Sequence, residues 1–144
     1  MIVVTASSSN IGNQLIKSLN AEGFNFVIEV EEQKKKSENK VLHSFNSIEF
    51  LEWLPQNSRD VECVFHIQHN FDLSFHQSVW QYCIDFHIPY IYLFEEKDEN
   101  TFSDWAHKQE KKPFFNKGIS YTENSEIESL ISDAINAMMV RNLG

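Results

Sequence analysis

Apolar and polar positions along the chain change period several times, and each change marks an element. Residues 2–5 are a short continuous apolar run, the pattern of a strand buried on both faces of a parallel sheet. From Ile11 the spacing becomes helical. Ile11, Leu15, Ile16 and Leu19 share one face, and Gly23 supplies a left-handed cap. Phe24 to Val30 reads as a second strand and Val41 to Phe45 as a third, across the charged connector at residues 31–40. Ser47 then caps a short helix with Ile48, Phe50, Leu51, Trp53 and Leu54, which Pro55 stops. Val61 to Ile67 is the fourth strand, residues 71–87 a long helix, and Tyr90 to Phe94 the fifth strand. A weak helix at Thr101–Lys111 and an edge strand at Gly118–Thr122 follow. The final helix opens on Ser125-x-x-Glu128 as a capping box and buries Ile127, Leu130, Ile131, Ala134, Ile135 and Met138.

This alternation predicts one three-layer, doubly wound α/β domain over residues 1–144. Its sheet is mostly parallel in the order 3-2-1-4-5, with a sixth strand at the edge. The connector before Val41 is short for a parallel crossover, so the third strand pairs weakly or runs antiparallel. No internal repeat, linker or low-complexity tract divides the chain.

The candidate chemistry sits where the first strand meets the first helix. Thr5-Ala6-x-x-Ser9-x-x-Gly12 has the spacing of the Thr-Gly-x-x-Gly-x-x-Gly loop that sets a nucleotide pyrophosphate on a helix N-terminus. Gly12 keeps the position of close helix-to-strand packing. Ala6 replaces the turn glycine, so a positive φ there is strained by a Cβ. Ser9 replaces the glycine of closest approach and puts a side chain where a phosphate oxygen would lie. Two readings follow: a capped helix start, and a remodelled anion site in which backbone donors, hydroxyls and the helix dipole still act. In the second reading Thr5, Ser7, Ser8, Ser9, Asn10, Ile11 and Gly12 bind the cofactor.

Val3-Val-Thr-Ala-Ser-Ser-Ser-Asn-Ile-Gly-Asn-Gln-Leu-Ile-Lys-Ser-Leu19 resembles the opening of the short-chain dehydrogenase/reductase superfamily, nearest to its epimerase/dehydratase and NmrA-like branches. Asp60-Val-Glu-Cys-Val-Phe-His-Ile67 and Tyr82-Cys-Ile-Asp-Phe-His-Ile-Pro-Tyr-Ile-Tyr92 resemble the family's fourth strand, following helix and fifth strand. The resemblance covers about residues 1–94 and implies a Rossmann half. It implies that an acid at the end of the second strand binds the ribose hydroxyls; Glu29 matches best, with Glu31 as the fallback. His66 stands where the family commonly has histidine and reads as structural. The family's catalytic Tyr-x-x-x-Lys, in which lysine lowers the pKa of a tyrosine acid/base, occurs nowhere in this chain.

Composition narrows the rest. A net charge of −9 argues against nucleic acid, whose affinity comes mainly from cations on phosphates. A 2′-phosphate pocket at Lys34–Lys36 competes with a plain solvated loop. His66, His69 and His76 do not form a metal set by spacing alone. No apolar run reaches membrane-spanning length and no basic leader opens the chain. Cys63 and Cys83 lie in apolar elements, as reduced thiols of a cytoplasmic protein do.

Three functional classes fit. The first is a catalytically inactive Rossmann domain acting as a partner or regulatory subunit, with no or weak NAD(P). The others are an NAD(P)-binding oxidoreductase with a remodelled loop and a flavodoxin-like FMN carrier. The helix at 71–87 bears on the first. Phe71, Phe75, Val79, Tyr82 and Phe86 form one apolar stripe, while Leu73, Trp80 and Ile84 form another. A helix packing only on a sheet needs one stripe, so the second predicts a homodimer or protein partner across this helix.

Overall fold

The computed structural model describes residues 1–32, 38–68, 72–96 and 101–140. Among the described residues, six strands and five α-helices follow in chain order: β1 (Ile2–Thr5), α1 (Asn10–Ala21), β2 (Val27–Glu31), β3 (His43–Asn46), α2 (Ser47–Asn57), β4 (Cys63–Ile67), α3 (Leu73–Asp85), β5 (Tyr90–Glu95), α4 (Thr101–His107), β6 (Asn116–Tyr121) and α5 (Ile127–Val140). The sheet order is β3-β2-β1-β4-β5-β6, and all five ladders are parallel. This is the doubly wound order expected, with the sixth strand at the edge. It differs from the 2-1-3-4-5 order of flavodoxin-like folds, so the FMN-carrier topology is excluded.

Strand residues alternate between two cores. Ile2, Val4, Val27, Cys63, Phe65 and Ile91 meet α1 and α5 on one face. Val3, Ile28, Val30, Val64 and Tyr90 meet α2, α3 and α4 on the other. Cys63 and Cys83 are both buried. Gly23 takes φ +94° just after α1, as its cap role requires. No helix among the described residues is long and apolar enough to cross a membrane.

Several boundaries differ from the sequence expectations for local reasons. β3 runs parallel to β2, with Ile28 beside His43 and Val30 beside Phe45, so the antiparallel alternative is set aside. Asn46, rather than Ser47, caps α2, and Glu49 completes the box by accepting from the Asn46 N–H. Pro55 does not stop that helix, which runs two residues further; so near the C-terminal end a proline disturbs little of the hydrogen-bond ladder. Ser125 Oγ accepts from the Thr122 N–H at 2.8 Å, closing the turn before α5 rather than forming the expected capping box.

The second stripe of α3 also has an explanation inside the chain. α3 is the middle helix of its layer, between α2 and α4. Phe75 and Val79 are buried, with Phe75 against Phe50 of α2. Trp80 and His76 are covered from the other side by Trp105 and Phe102 of α4. The expected free apolar face is therefore corrected: Tyr82 is half-buried, only Phe86 is exposed, and Phe71 lies outside the described residues.

Candidate functional site at the strand C-termini

The β1–α1 loop keeps the geometry of a glycine loop with other residues. Ala6 takes φ +54°, the left-handed turn conformation that costs an L-residue about 1–2 kcal/mol. Its carbonyl accepts from the Ser9 N–H at 3.0 Å and from Ser9 Oγ at 2.6 Å. Gly12 sits directly over that carbonyl, where a Cβ would lie 2.1 Å from the Ala6 oxygen. The close-packing role of Gly12 is thus met by geometry.

Each expected loop residue has a definite place. Thr5 is buried, and its Oγ1 accepts from the Ile67 N–H at 2.8 Å, tying the ends of β1 and β4 together. Ser7 is buried and donates through Oγ to Glu31 Oε1 at 3.1 Å. The Ser8 N–H donates to the same oxygen. Ser9 Oγ does not reach outward to a ligand position; it turns back and accepts from the Gly12 N–H at 3.0 Å as the cap of α1. Ser9, Asn10 and Ile11 face the open crevice, whereas Thr5, Ser7 and Gly12 do not line it.

The acid beside the loop is Glu31, not Glu29. Glu29 lies in the middle of β2, level with Val4 and Ser44, and is buried. Glu31 is the strand's last residue, one step past the Val30–Thr5 pair, which brings its carboxylate to Ser7 and Ser8. Counting residues from the glycine loop cannot fix the β1–β2 register, and the register decides which acid reaches the loop. Lys34–Lys36 and His69 lie outside the described residues.

A crevice of about 270 Å³ opens between this loop and the ends of β4, β5 and β6, the position where open parallel sheets bind ligands. Ile67, Glu95, Tyr121 and Glu123 line it with the start of α5. Burial, with the Glu95 carboxylate alongside, pushes the Tyr121 phenol up to about 12. The lining offers two carboxylates and no basic side chain among the described residues. Glu95, Tyr121 and Glu123 were missed from the sequence; their signal is that each sits at or just past the end of a parallel strand.

Behind the loop is a buried imidazole pair. His66 Nε2 and His76 Nδ1 share a hydrogen bond, and His66 Nδ1 lies 3.5 Å from Thr5 Oγ1. Burial, and His76 beside it, hold His66 well below the ordinary histidine range. Tyr90, Phe75 and Phe102 surround the ring, consistent with a structural role. Among the described residues no group of three or more His, Cys, Asp or Glu side chains could hold a metal ion.

No protein-family model matches the chain, and no curated protein matches it. Solved structures do. L-threonine dehydrogenase from Clostridium difficile superposes with a TM-score of 0.51 at 13% identity, over 65% of this chain and 36% of that one. A putative short-chain dehydrogenase/reductase family oxidoreductase from Aeromonas hydrophila gives 0.51 at 11% identity, over 94% of this chain and 89% of that one. MoeE5, solved in complex with UDP-glucuronic acid and NAD, gives 0.50 at 12%, over 96% of this chain and 48% of that one. The chain thus spans about a third of the length of the threonine dehydrogenases it matches. With the 3-2-1-4-5-6 sheet order, these likenesses make the chain a Rossmann-like α/β domain in fold.

Proposed function

We propose that the chain is a degenerate epimerase/dehydratase-like Rossmann domain that transfers no hydride on its own. It acts as a protein-interaction or regulatory subunit, binding NAD(P) weakly or not at all. The observation that carries this reading is the state of the loop's donors. The Ser8 N–H and Ser7 Oγ go to Glu31, and the Gly12 N–H goes to Ser9 Oγ. A pyrophosphate would have to displace these partners and enter a crevice that already holds Glu95 and Glu123. The absence of a Tyr-x-x-x-Lys pair from this sequence supports the catalytic half of the proposal. Two buried cysteines, Cys63 and Cys83, support a reducing, cytoplasmic setting.

One observation favours an oxidoreductase with a remodelled loop instead. Glu31 stands where a carboxylate can accept from ribose hydroxyls, and MoeE5 was solved with NAD. Calorimetric titration with NAD and NADP separates the two readings. The proposal expects binding weaker than micromolar, or less favourable than about −8 kcal/mol, with tightening in an Ala6→Gly, Ser9→Gly double variant. Wild-type binding at micromolar or better, or NADH turnover abolished by a single substitution in this chain, would overturn it.

A further inference from the structure

β6 closes one side of the sheet, and among the described residues no strand pairs with its outer edge. The Phe115 and Tyr121 carbonyls accept from the Tyr90 and Glu96 N–H groups at 2.9 and 2.8 Å, so these odd-numbered residues turn inward. Alternate residues of a parallel strand turn opposite ways. Asn116, Gly118 and Ser120 therefore hold their main-chain N–H and C=O groups toward the open edge. A groove of about 600 Å³ runs beside it, lined by Lys117 and Ile119 of β6 and by Asp133, Asn136, Ala137 and Val140 of α5. The four helix residues recur at i, i+3, i+4 and i+7, one continuous stripe. At its end Val140 is 57% and Met139 48% exposed.

We propose that this edge pairs with the same edge of a second copy, the two β6 strands running antiparallel about a two-fold axis through Gly118. Gly118 then stands opposite Gly118, and Asn116 opposite Ser120. Each outward residue exchanges both main-chain bonds with its opposite, so no edge donor is left over. On the helix-bearing face Lys117 meets Ile119 and Phe115 meets Tyr121, so no like charges oppose each other. Gly118 is already required by the interior, since a Cβ there would lie 2.7 Å from the Tyr92 ring. The same missing side chain leaves the strand flat at the axis.

The helices argue for a second copy over an unrelated peptide. α5 packs on both β5 and β6. An axis half a strand spacing beyond β6 sets the two α5 helices roughly 10 Å apart, the packing distance of helices. Ala137 and Asn136 are small enough to meet there, and Val140 gains a partner. Charge agrees. The chain carries −9, but this groove holds one Lys117 and one Asp133, so it is a neutral surface on an acidic molecule. The strand plus the stripe would bury on the order of 1,200 Å², the lower end for a specific dimer.

The test is sedimentation equilibrium from about 1 to 500 µM, paired with amide hydrogen exchange, with dissociation expected in the micromolar range. Protection at Asn116, Gly118 and Ser120 should rise with concentration. Ser120→Pro removes an outward N–H while sparing the β5 ladder, a position where an edge strand tolerates proline. Ala137→Arg wedges the helix seam without touching β6. Each should weaken the dimer about tenfold or more. If Ser120→Pro does not fold, Ala137→Arg decides. A monomer at 500 µM would overturn the proposal. So would a dimer that leaves the three amides unprotected, or one that Ala137→Arg does not weaken.

Discussion

Gly12→Ala is the most demanding test of the loop geometry, because helix propensity and packing pull it in opposite directions. Within a helix, alanine is favoured over glycine by about 0.8–1 kcal/mol. Here the new Cβ would lie 2.1 Å from the Ala6 oxygen, 2.9 Å from its carbonyl carbon and 3.0 Å from Ser7 Cα. All three are backbone atoms, so no rotamer change relieves the contact. Ala6 O is itself held by two bonds from Ser9. The start of α1 has to move by about 1 Å, a gap that already forfeits a quarter to a half of each van der Waals well across it. That movement loosens Leu15, Ile16 and Leu19, all fully buried. Overpacking of this kind costs about 1–3 kcal/mol; its upper end, less the roughly 1 kcal/mol of helix propensity, leaves a net loss of about 2 kcal/mol. With a urea m-value near 2 kcal/mol/M, the unfolding midpoint should fall by about 1 M. Lys17→Ala, on the exposed face of the same helix, should stay within about 0.5 kcal/mol of wild type. A Gly12→Ala protein as stable as wild type would refute the close-approach account of the loop.

Three further outcomes are expected. Tyr90→Phe should stabilise the protein by about 1 kcal/mol in urea unfolding, because the buried Tyr90 hydroxyl has no hydrogen-bond partner among the described residues. His87 is exposed and takes φ +55° just past α3, so His87→Gly should raise stability by about 0.5–1 kcal/mol in the same assay. His66, held below its ordinary 6.5, makes stability depend on pH. Above pH 6.5 the ring is neutral folded and unfolded and contributes nothing. Below it the unfolded chain takes up a proton that the native site refuses, so stability falls by up to about 1.4 kcal/mol per pH unit until the folded pKa is reached. Unfolding free energies that stay flat from pH 7 to 5 would contradict that sign.

The fold was legible because period and punctuation agree along most of the chain. The buried run at Ile2–Thr5, the stripe through Leu15, Ile16 and Leu19, and Gly23 each specify one local answer. What the sequence hid depends on who lies next to whom. Glu29 and Glu31 are both acids of one strand, and only the β1–β2 register shows that Glu31 reaches the loop. The two stripes of α3 looked like a free face because α2 and α4, which cover them, are distant in sequence. Glu95 and Glu123 belong to different connections and meet only when β5 and β6 lie side by side. Ser9 could be read either as a ligand group or as a cap, since both use the same hydroxyl; its bond from the Gly12 N–H gives the cap.

The position of β1 has a consequence for how the chain is made. β1 precedes the other five strands in chain order, yet it lies in the interior of the sheet, between β2 and β4. Its β2 side can be filled early, because β2 follows after one helix. Its β4 side waits for Cys63–Ile67, about sixty residues later, which takes roughly 3–12 s at ordinary ribosomal speeds. During that interval a nascent chain carries the apolar run Ile2–Val4 with one side unpaired. All five ladders are parallel, so no pairing closes through a tight hairpin, and the β1–β4 pairing spans about sixty residues, the slow and aggregation-exposed topology. The arrival of β4 is then the committing event of folding. Lesions in Cys63–Ile67 should reduce the yield of native protein in cells by more than their equilibrium cost, whereas lesions of equal cost in β6 should not.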